Sequence, residues 1–349
     1  MGFFSMICCV KDLERKKQGE HNSKVRIFTL KELELATNNF NNGNKLGGGE
    51  FSSVYWGQLS NGSQIAVRRW EAGRNRSNTT DREFALEIEI MARAHHENLL
   101  SLRGFCAQGQ ERLIVYDYMI NHSLESHLFP GRQQQSATCH LDWTRRMSIA
   151  IGAAEAIALF YSISYLHNHA TAHIIHRDIK ANNVLLDVNF KARVADFRSA
   201  KFLPDGATHV VTGLKGSVGY VAPEYAMQGK ASKCCDVYSF GILLLELVSG
   251  KRTADCMIEI WAVRLACERK FDEIADRGLN GNYVEEEMKR VVLVGVACAS
   301  IEPEKRPTMI EVVEMLKGDK AKLLVLENLI CSLWFQNRFD FEKQSFDSS

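Results

Sequence analysis

The chain has 349 residues, of which 46% are apolar and 24% charged, and its formal net charge is +1. This is an ordinary water-soluble globular balance, large enough for one big domain or two lobes, and it excludes a global field that would draw nucleic acid. The 10 Cys residues contain no two C-x-x-C pairs at zinc spacing, so they read as small core hydrophobes of a reduced, intracellular protein.

Residues 1–26 read as a polar, flexible arm. Met1 to Val10 is apolar but lacks the basic start of a secretory signal. Gly2 follows Met1, yet Met6 stands where an N-myristoylation motif needs Ser or Thr. Cys8 and Cys9, close to Lys11, Arg15, Lys16 and Lys17, suit palmitoylation plus a basic patch, a two-signal peripheral membrane anchor. An inert arm is the alternative. Thr29-Leu30-Lys31-Glu32 fits a capping box opening a short amphipathic helix, with Thr29 as N-cap and Glu32 reaching back. Val54-Tyr55-Trp56, the turn Ser60-Asn61-Gly62 and Ile65-Ala66-Val67 predict a β-hairpin. Residues 71–80 read as a loop. Phe84, Ile88 and Met91 share one face of a helix over 84–94, and Leu113 to Tyr116 is a buried strand.

Beyond this point the pattern is mostly helical, over 123–128, 142–167, 232–249, 258–269, 285–299 and 308–317, with a polar loop at 130–140. Met147 to Leu166 is long enough to span a bilayer, but Glu155 at its centre and several Ser and Gly residues favour a buried core helix. The expected class is α+β: a small β-rich lobe, then a larger helical one.

Within that frame stands a set of parts suited to phosphoryl transfer, which asks a protein for positioning and charge neutralisation. Leu46-Gly47-Gly48-Gly49-Glu50-Phe51-Ser52-Ser53-Val54 fits G-x-G-x-x-G-x-V except at Ser52; glycines let backbone amides close over phosphates. Arg68 occupies the Lys position of V-A-I-K, and Glu87, nineteen residues on, is its expected acidic partner. Arg pairs well with a carboxylate, but its longer planar head would misalign the phosphates, at an expected cost on the order of 10²–10³ in rate. In His176-Arg177-Asp178-Ile179-Lys180-Ala181-Asn182-Asn183, Asp178 is the candidate base that orients a substrate hydroxyl, and Lys180 neutralises the moving phosphate. Asn183 and Asp196 are candidate Mg²⁺ ligands, hard oxygen donors for a hard cation. Arg198 stands where a Gly should follow Asp196-Phe197, adding bulk and restricting the turn. Glu224 and Arg306 are an expected structural ion pair. Thr208, Thr212 and Ser217 are possible phosphosites, with Arg177 placed to pair with such a phosphate.

Phe28-Thr29-Leu30-Lys31-Glu32-Leu33 with Ala36-Thr37-Asn38-Asn39-Phe40, Ile114 to Met119, Gly219 to Tyr225, Asp236 to Gly241 and Lys305 to Thr308 complete the pattern. Over about residues 27–318 the chain resembles the plant receptor-like cytoplasmic kinases. The resemblance implies a bilobal protein-kinase fold, with an N-lobe near 40–119, a C-lobe near 120–318 and a tail at 319–349. It implies Ser/Thr phosphotransfer with ATP and Mg²⁺, in two lobes that close on one nucleotide. A protein substrate, partner kinase or receptor would be met in the cytoplasm or at the cytosolic face of the plasma membrane, and no nucleic acid. It makes Tyr116 the gatekeeper, brings the Asp117 and Met119 backbone to adenine, and sandwiches the ring between Val54, Ala66 and Leu185, under Leu46, Gly47 and Gly49.

Ser52, Arg68 and Arg198 depart from that family. So does an insertion: Ala154-Glu155-Ala156-Ile157-Ala158 is separated from Tyr165-Leu166-His167 by Leu159 to Ser164. Six residues rotate a helix by a net of about 240°, which turns the core stripe away unless the insert bulges out, or unless it is an error in the gene model. Two functions follow: a kinase with weak turnover, or a pseudokinase scaffold that binds partner kinases or receptors without catalysis.

Overall fold

A computed structural model of the chain describes residues 25–49, 52–70, 78–130, 140–162, 165–167 and 170–327. Cys8 and Cys9, Glu50 and Phe51, most of the loops expected at 71–80 and 130–140, and the tail beyond 327 lie outside these residues. The chain divides into two compact units, one reaching to Ile120 and including Asp196–Ala200, the other comprising Asn121–Ala195 and everything from Lys201 on.

The first unit contains strands β1 (Arg26–Ile27), β2 (Lys45–Gly48), β3 (Ser52–Gln58), β4 (Gln64–Trp70), β5 (Leu102–Cys106) and β6 (Leu113–Asp117), with helices α1 (Leu30–Ala36) and α2 (Asn78–Arg93). The strands form one sheet in the order β1-β5-β6-β4-β3-β2. Only the β1–β5 pair is parallel. The expected hairpin is β3–β4, which sets Val54 opposite Arg68 and turns through Gly62 at φ +83°. Phe28, Leu33, Ile65, Val67, Leu113 and Val115 fill the core on one face of this sheet. Each such side chain contributes about 1.5–3 kcal/mol by leaving water. On α2, Phe84, Ile88 and Met91 are buried as the spacing required. The capping box forms only in part: Thr29 accepts the Glu32 N–H at 3.2 Å, but the Glu32 carboxylate turns to Arg26 at 2.6 Å.

The second unit is mainly helical. Its helices are α3 (Leu124–Leu128), α4 (Trp143–Ser162), α5 (Pro223–Gln228), α6 (Lys233–Ser249), α7 (Ile258–Cys267), α8 (Phe271–Ile274), α9 (Glu285–Cys298) and α10 (Met309–Leu316). Helix α6 is buried from Cys235 to Ser249. It is apolar all round, as a helix enclosed by others must be. It crosses α9 so closely that a Cβ on Gly241 would lie 2.7 Å from Gly295 O and Cys298 Cβ. Arg306 is buried and meets the first turn of α5 at Glu224. It holds Glu224 at 2.7 and 2.8 Å and donates to the Ser300 and Cys234 carbonyls. The ion pair read from the sequence is therefore present. Short strands β7 (Tyr165–His167), β8 (Ala170–Ile175), β9 (Val184–Leu186), β10 (Ala192–Val194), β11 (Lys201–Pro204), β12 (Val210–Val211) and β13 (Lys230–Ala231) punctuate the unit. All but β8 are two to four residues long, at or below the shortest run in which an alternation registers. Residues 320–327 are helical. Among the described residues, no helix is long and apolar enough to cross a membrane.

The insertion does not bulge from the helix, and the helix expected over 142–167 ends at Ser162. Its register up to Ala158 is preserved, because Leu159, Phe160 and Tyr161 follow Ala158 where the resemblance has Tyr-Leu-His. Phe160 is fully buried and stacks on His176, with ring centroids 6.3 Å apart. The Tyr161 hydroxyl donates to Asp236 at 2.9 Å. The displaced Tyr165-Leu166-His167 leaves as β7, which pairs with β8, and β8 pairs in turn with β11. The surplus length is spent after the helix, so the core stripe never rotates away.

Phe160→Ala should lower unfolding stability by about 3–5 kcal/mol, the range for truncating a buried aromatic ring, and Tyr161→Phe by about 1–3 kcal/mol, the range for withdrawing a donor from a buried carboxylate. Urea titration checks both; values within about 0.5 kcal/mol of native, as for surface changes, would place the insertion outside the core. Arg306→Ala should cost about 3–5 kcal/mol by stranding Glu224, and a loss below about 1 kcal/mol would mean the pair is not structural.

Candidate active site

In the first unit, β4 and α2 aim two opposite charges at each other. Arg68 on β4 donates through Nη1 to both oxygens of Glu87 on α2, at 2.9 and 3.1 Å. Glu87 is fully buried, and its Oε1 also accepts from the Tyr116 hydroxyl at 2.8 Å. Burial pushes the Glu87 carboxyl up from its ordinary value, while the Arg68 charge pulls it back. The Arg68 guanidinium lies flanked by the rings of Trp70 and Tyr116, at 5.9 and 5.6 Å from their centroids. Burial alone would lower its pKa, but Asp196 and Glu87 hold it above the usual range. The Arg68 Nε–H is buried and meets no partner among the described residues. An orphaned buried donor costs about 1–3 kcal/mol.

Asp196 belongs to the same cluster. Arg68 Nη1 reaches its Oδ1 at 3.1 Å. Arg198 grips it by two parallel bonds, Nε to Oδ1 and Nη2 to Oδ2, both 2.7 Å. A bidentate guanidinium–carboxylate pair of this kind is the strongest ordinary ion pair. The backbone of Asp196 is left-handed, at φ +71°, whereas Arg198 sits in a single 3₁₀ turn, Phe197–Ser199. Arg198 therefore carries no left-handed strain itself, and its bulk falls on the carboxylate beside it. Hydrogen bonding to Asp196 raises its own pKa further.

The glycine loop keeps room above it. Among the described residues, a Cβ on Gly47 or Gly49 would meet nothing within 4 Å, while one on Gly48 would strike Ser52 O at 2.9 Å. Ser52, the replacement for the third glycine, is buried and paired in β3 opposite Trp70. Leu46 is exposed, and Ala66 and Tyr116 are buried. Val54 is half-buried, and Met119 follows β6. The Asp117 carboxylate is taken by Arg103.

The second unit holds the remaining groups. Asp178 Oδ1 accepts from the Ser217 hydroxyl at 2.8 Å, and Lys180 Nζ donates to that same hydroxyl at 2.6 Å and lies 3.2 Å from Asp178 Oδ2. Asn183 Nδ2 donates to the Asp178 carbonyl and carboxylate at 2.7 and 3.0 Å, leaving the amide oxygen as its remaining acceptor. Leu185 lies on β9. Arg177, at φ +67°, reaches the Thr212 hydroxyl at 3.3 Å and the Tyr225 hydroxyl at 2.9 Å. Thr208 is exposed and bonds the His209 ring.

What positions this loop escaped the sequence reading. Asp236, fully buried on α6, accepts the backbone N–H of His176 at 2.7 Å and of Arg177 at 2.8 Å, besides the Tyr161 hydroxyl. Burial raises its pKa, and these donors oppose the shift. The signal was available: Asp236 and Glu246 are acids inside an otherwise apolar helix, and a buried acid must have donors. Glu246 likewise accepts from the Thr253 N–H at 2.8 Å and from Tyr220.

The two halves thus differ in what they could hold. Open glycines suit phosphate, while the cation nearby, Arg68, is already bonded to two carboxylates. Asn183 retains an oxygen suited to Mg²⁺, but Asp196 does not fit a cation as arranged, since both of its oxygens are engaged by guanidinium groups. Among the described residues, no group of three or more His, Cys, Asp and Glu side chains is placed to hold a metal.

Residues 40–316 match the family model of protein tyrosine and serine/threonine kinases. The chain is 53% identical over 330 residues to a PTI1-like tyrosine-protein kinase of Arabidopsis thaliana, covering 92% of this chain and 88% of that protein. It is 42% identical over 312 residues to the proline-rich receptor-like protein kinase PERK3 of the same plant, and 41% identical over 303 residues to PERK1. These two alignments cover 86% and 84% of this chain but only 58% and 44% of the relatives, so the chain spans about half of their length. With the sheet-based first unit, the helical second unit and the charged clusters in each, the matches show that the chain belongs to the protein tyrosine and serine/threonine kinase family.

Proposed function

We propose that this chain is a signalling protein of the receptor-like cytoplasmic kinase type whose phosphotransfer from ATP to a protein hydroxyl is weak. One observation carries the reading: Arg68, at the phosphate-gripping position, is bonded to Glu87 and to Asp196 at once. A cation so engaged has less to offer a phosphate, and its planar head is not equivalent to a Lys ammonium.

The acceptor side supports residual catalysis. Asp178 and Lys180 together hold an aliphatic hydroxyl, that of Ser217. That is the arrangement a base needs toward a substrate Ser or Thr, within hydrogen-bond reach of the proton to be moved. Asp178 would take the hydroxyl proton, and Lys180 would balance charge on the transferred phosphate. Because one relative is named a tyrosine-protein kinase, the acceptor test includes Tyr peptides. Thr212, whose hydroxyl already touches Arg177, is the best placed of the three activation-segment hydroxyls for phosphorylation. Ser217 is committed to Asp178. Attachment to the cytosolic face of the plasma membrane through Cys8 and Cys9, and docking to receptors, belong to the same proposal.

The clamp on Asp196 favours a second reading, a scaffold that keeps the fold and lacks turnover. Phosphate transfer from ATP to the chain itself and to Ser, Thr and Tyr peptides separates the two, with Asp178→Asn as the blank. The native chain should stand above the blank, and Arg68→Lys combined with Arg198→Gly should raise the rate by about 10²–10³, the usual range for restoring one preorganised charge. A native rate equal to that of the double variant would overturn the weak-kinase reading. Silence in the native chain with recovery in the double variant would establish the scaffold.

A further inference from the structure

The Asp196 cluster leads beyond weak turnover. Two carboxylates, Glu87 and Asp196, face two guanidinium groups, Arg68 and Arg198, and the four charges cancel within the first unit. A carboxylate that takes a divalent cation must offer it at least one oxygen. Here Oδ1 accepts from both arginines and Oδ2 from Arg198. A dication seated on either oxygen would stand beside two fixed positive charges, one of which is only 12% accessible. It would have to displace a bidentate pair to arrive.

We propose that Arg198 is a resident counter-ion occupying the cation's place on Asp196, so that the protein takes no divalent cation there and binds nucleoside phosphates as their metal-free anions. Arg198 uses Nε and Nη2 on Asp196 and keeps a third of its side chain accessible. A guanidinium held in this way presents its outer edge to a phosphate oxygen. The inference concerns the ligand state of the site proposed above, and it stands or falls separately from the rate.

The test uses the full-length chain, Mn²⁺ as a paramagnetic probe, and the non-hydrolysable nucleotide AMP-PNP. The readout is bound Mn²⁺ that Asp196→Ala removes. The native chain should show none, and its melting temperature with AMP-PNP should be equal in Mg²⁺ and in EDTA. Arg198→Gly should gain Asp196-dependent Mn²⁺ with at least a tenfold rise in affinity. Arg198→Gln, which keeps the bulk but removes the charge, serves where the glycine variant does not melt cooperatively. Asp196-dependent Mn²⁺ in the native chain overturns the proposal, as does the absence of any gain in a cooperatively folded Arg198 variant. Fast phosphotransfer without Asp196-dependent Mn²⁺ would remove the weak-kinase reading and leave this one standing. Slow transfer with such Mn²⁺ would do the reverse.

Discussion

The buried carboxylate of Asp236 is the point on which the second unit turns. An ionised group removed from water must be met by donors, or it costs several kcal/mol. Asp236 is met by the backbone amides of His176 and Arg177 and by the Tyr161 hydroxyl, from two other segments of the chain. Moving any of them strands the charge. The left-handed backbone of Arg177 is therefore held from within, and Asp178, the next residue, inherits a fixed position. Helix α6, which supplies the carboxylate, is itself immobilised by burial over fifteen residues and by its close crossing with α9. Core packing thus reaches the candidate base through one acid.

The two clusters of charge are built on different principles. Around Asp178 the partners are a cation, a hydroxyl and an amide, all groups that a substrate or ion could exchange with at modest cost. Around Asp196 they are two arginines, each held elsewhere or bidentate. Guanidinium groups are always charged and fork-shaped, so they lock where lysine would slide. Arg68 and Arg198 therefore act in one direction. Both bring positive charge to Asp196, the candidate metal ligand.

Much of this was legible in the sequence. The β3–β4 hairpin, the α2 stripe and the long apolar helices follow from period and turn chemistry, and the Glu224–Arg306 pair from the Ala222-Pro223-Glu224 and Lys305-Arg306-Pro307 motifs. Glu87 was found because its spacing from Arg68 put it on the next helix, and the structure brings the two together. Three things were hidden, each for a physical reason. The short strands β9 to β11 carry too few residues for an alternation to show. Asp236 reads as one letter in an apolar run until its donors are located. The target of Arg198 could not be deduced from bulk and backbone freedom, because a flexible side chain chooses its partner in three dimensions. The insertion misled in a similar way: helix phase forbids a rotated stripe, but it does not say which copy of an aromatic-containing triplet stays in the helix.

That choice has a consequence for how the chain tolerates change. Leu159-Phe160-Tyr161 and Tyr165-Leu166-His167 are two candidates for one set of sockets at the end of α4, and the nearer one wins because it needs no extra backbone. The loser is then free of the constraint that shaped it. A transcript lacking Leu159 to Ser164 would seat the second triplet in the vacated helix end, giving up strand β7 and the Tyr161 hydroxyl while preserving an apolar plug against His176. Selection on the inserted form would act on Phe160 and Tyr161, and the second triplet would answer to its pairing with β8.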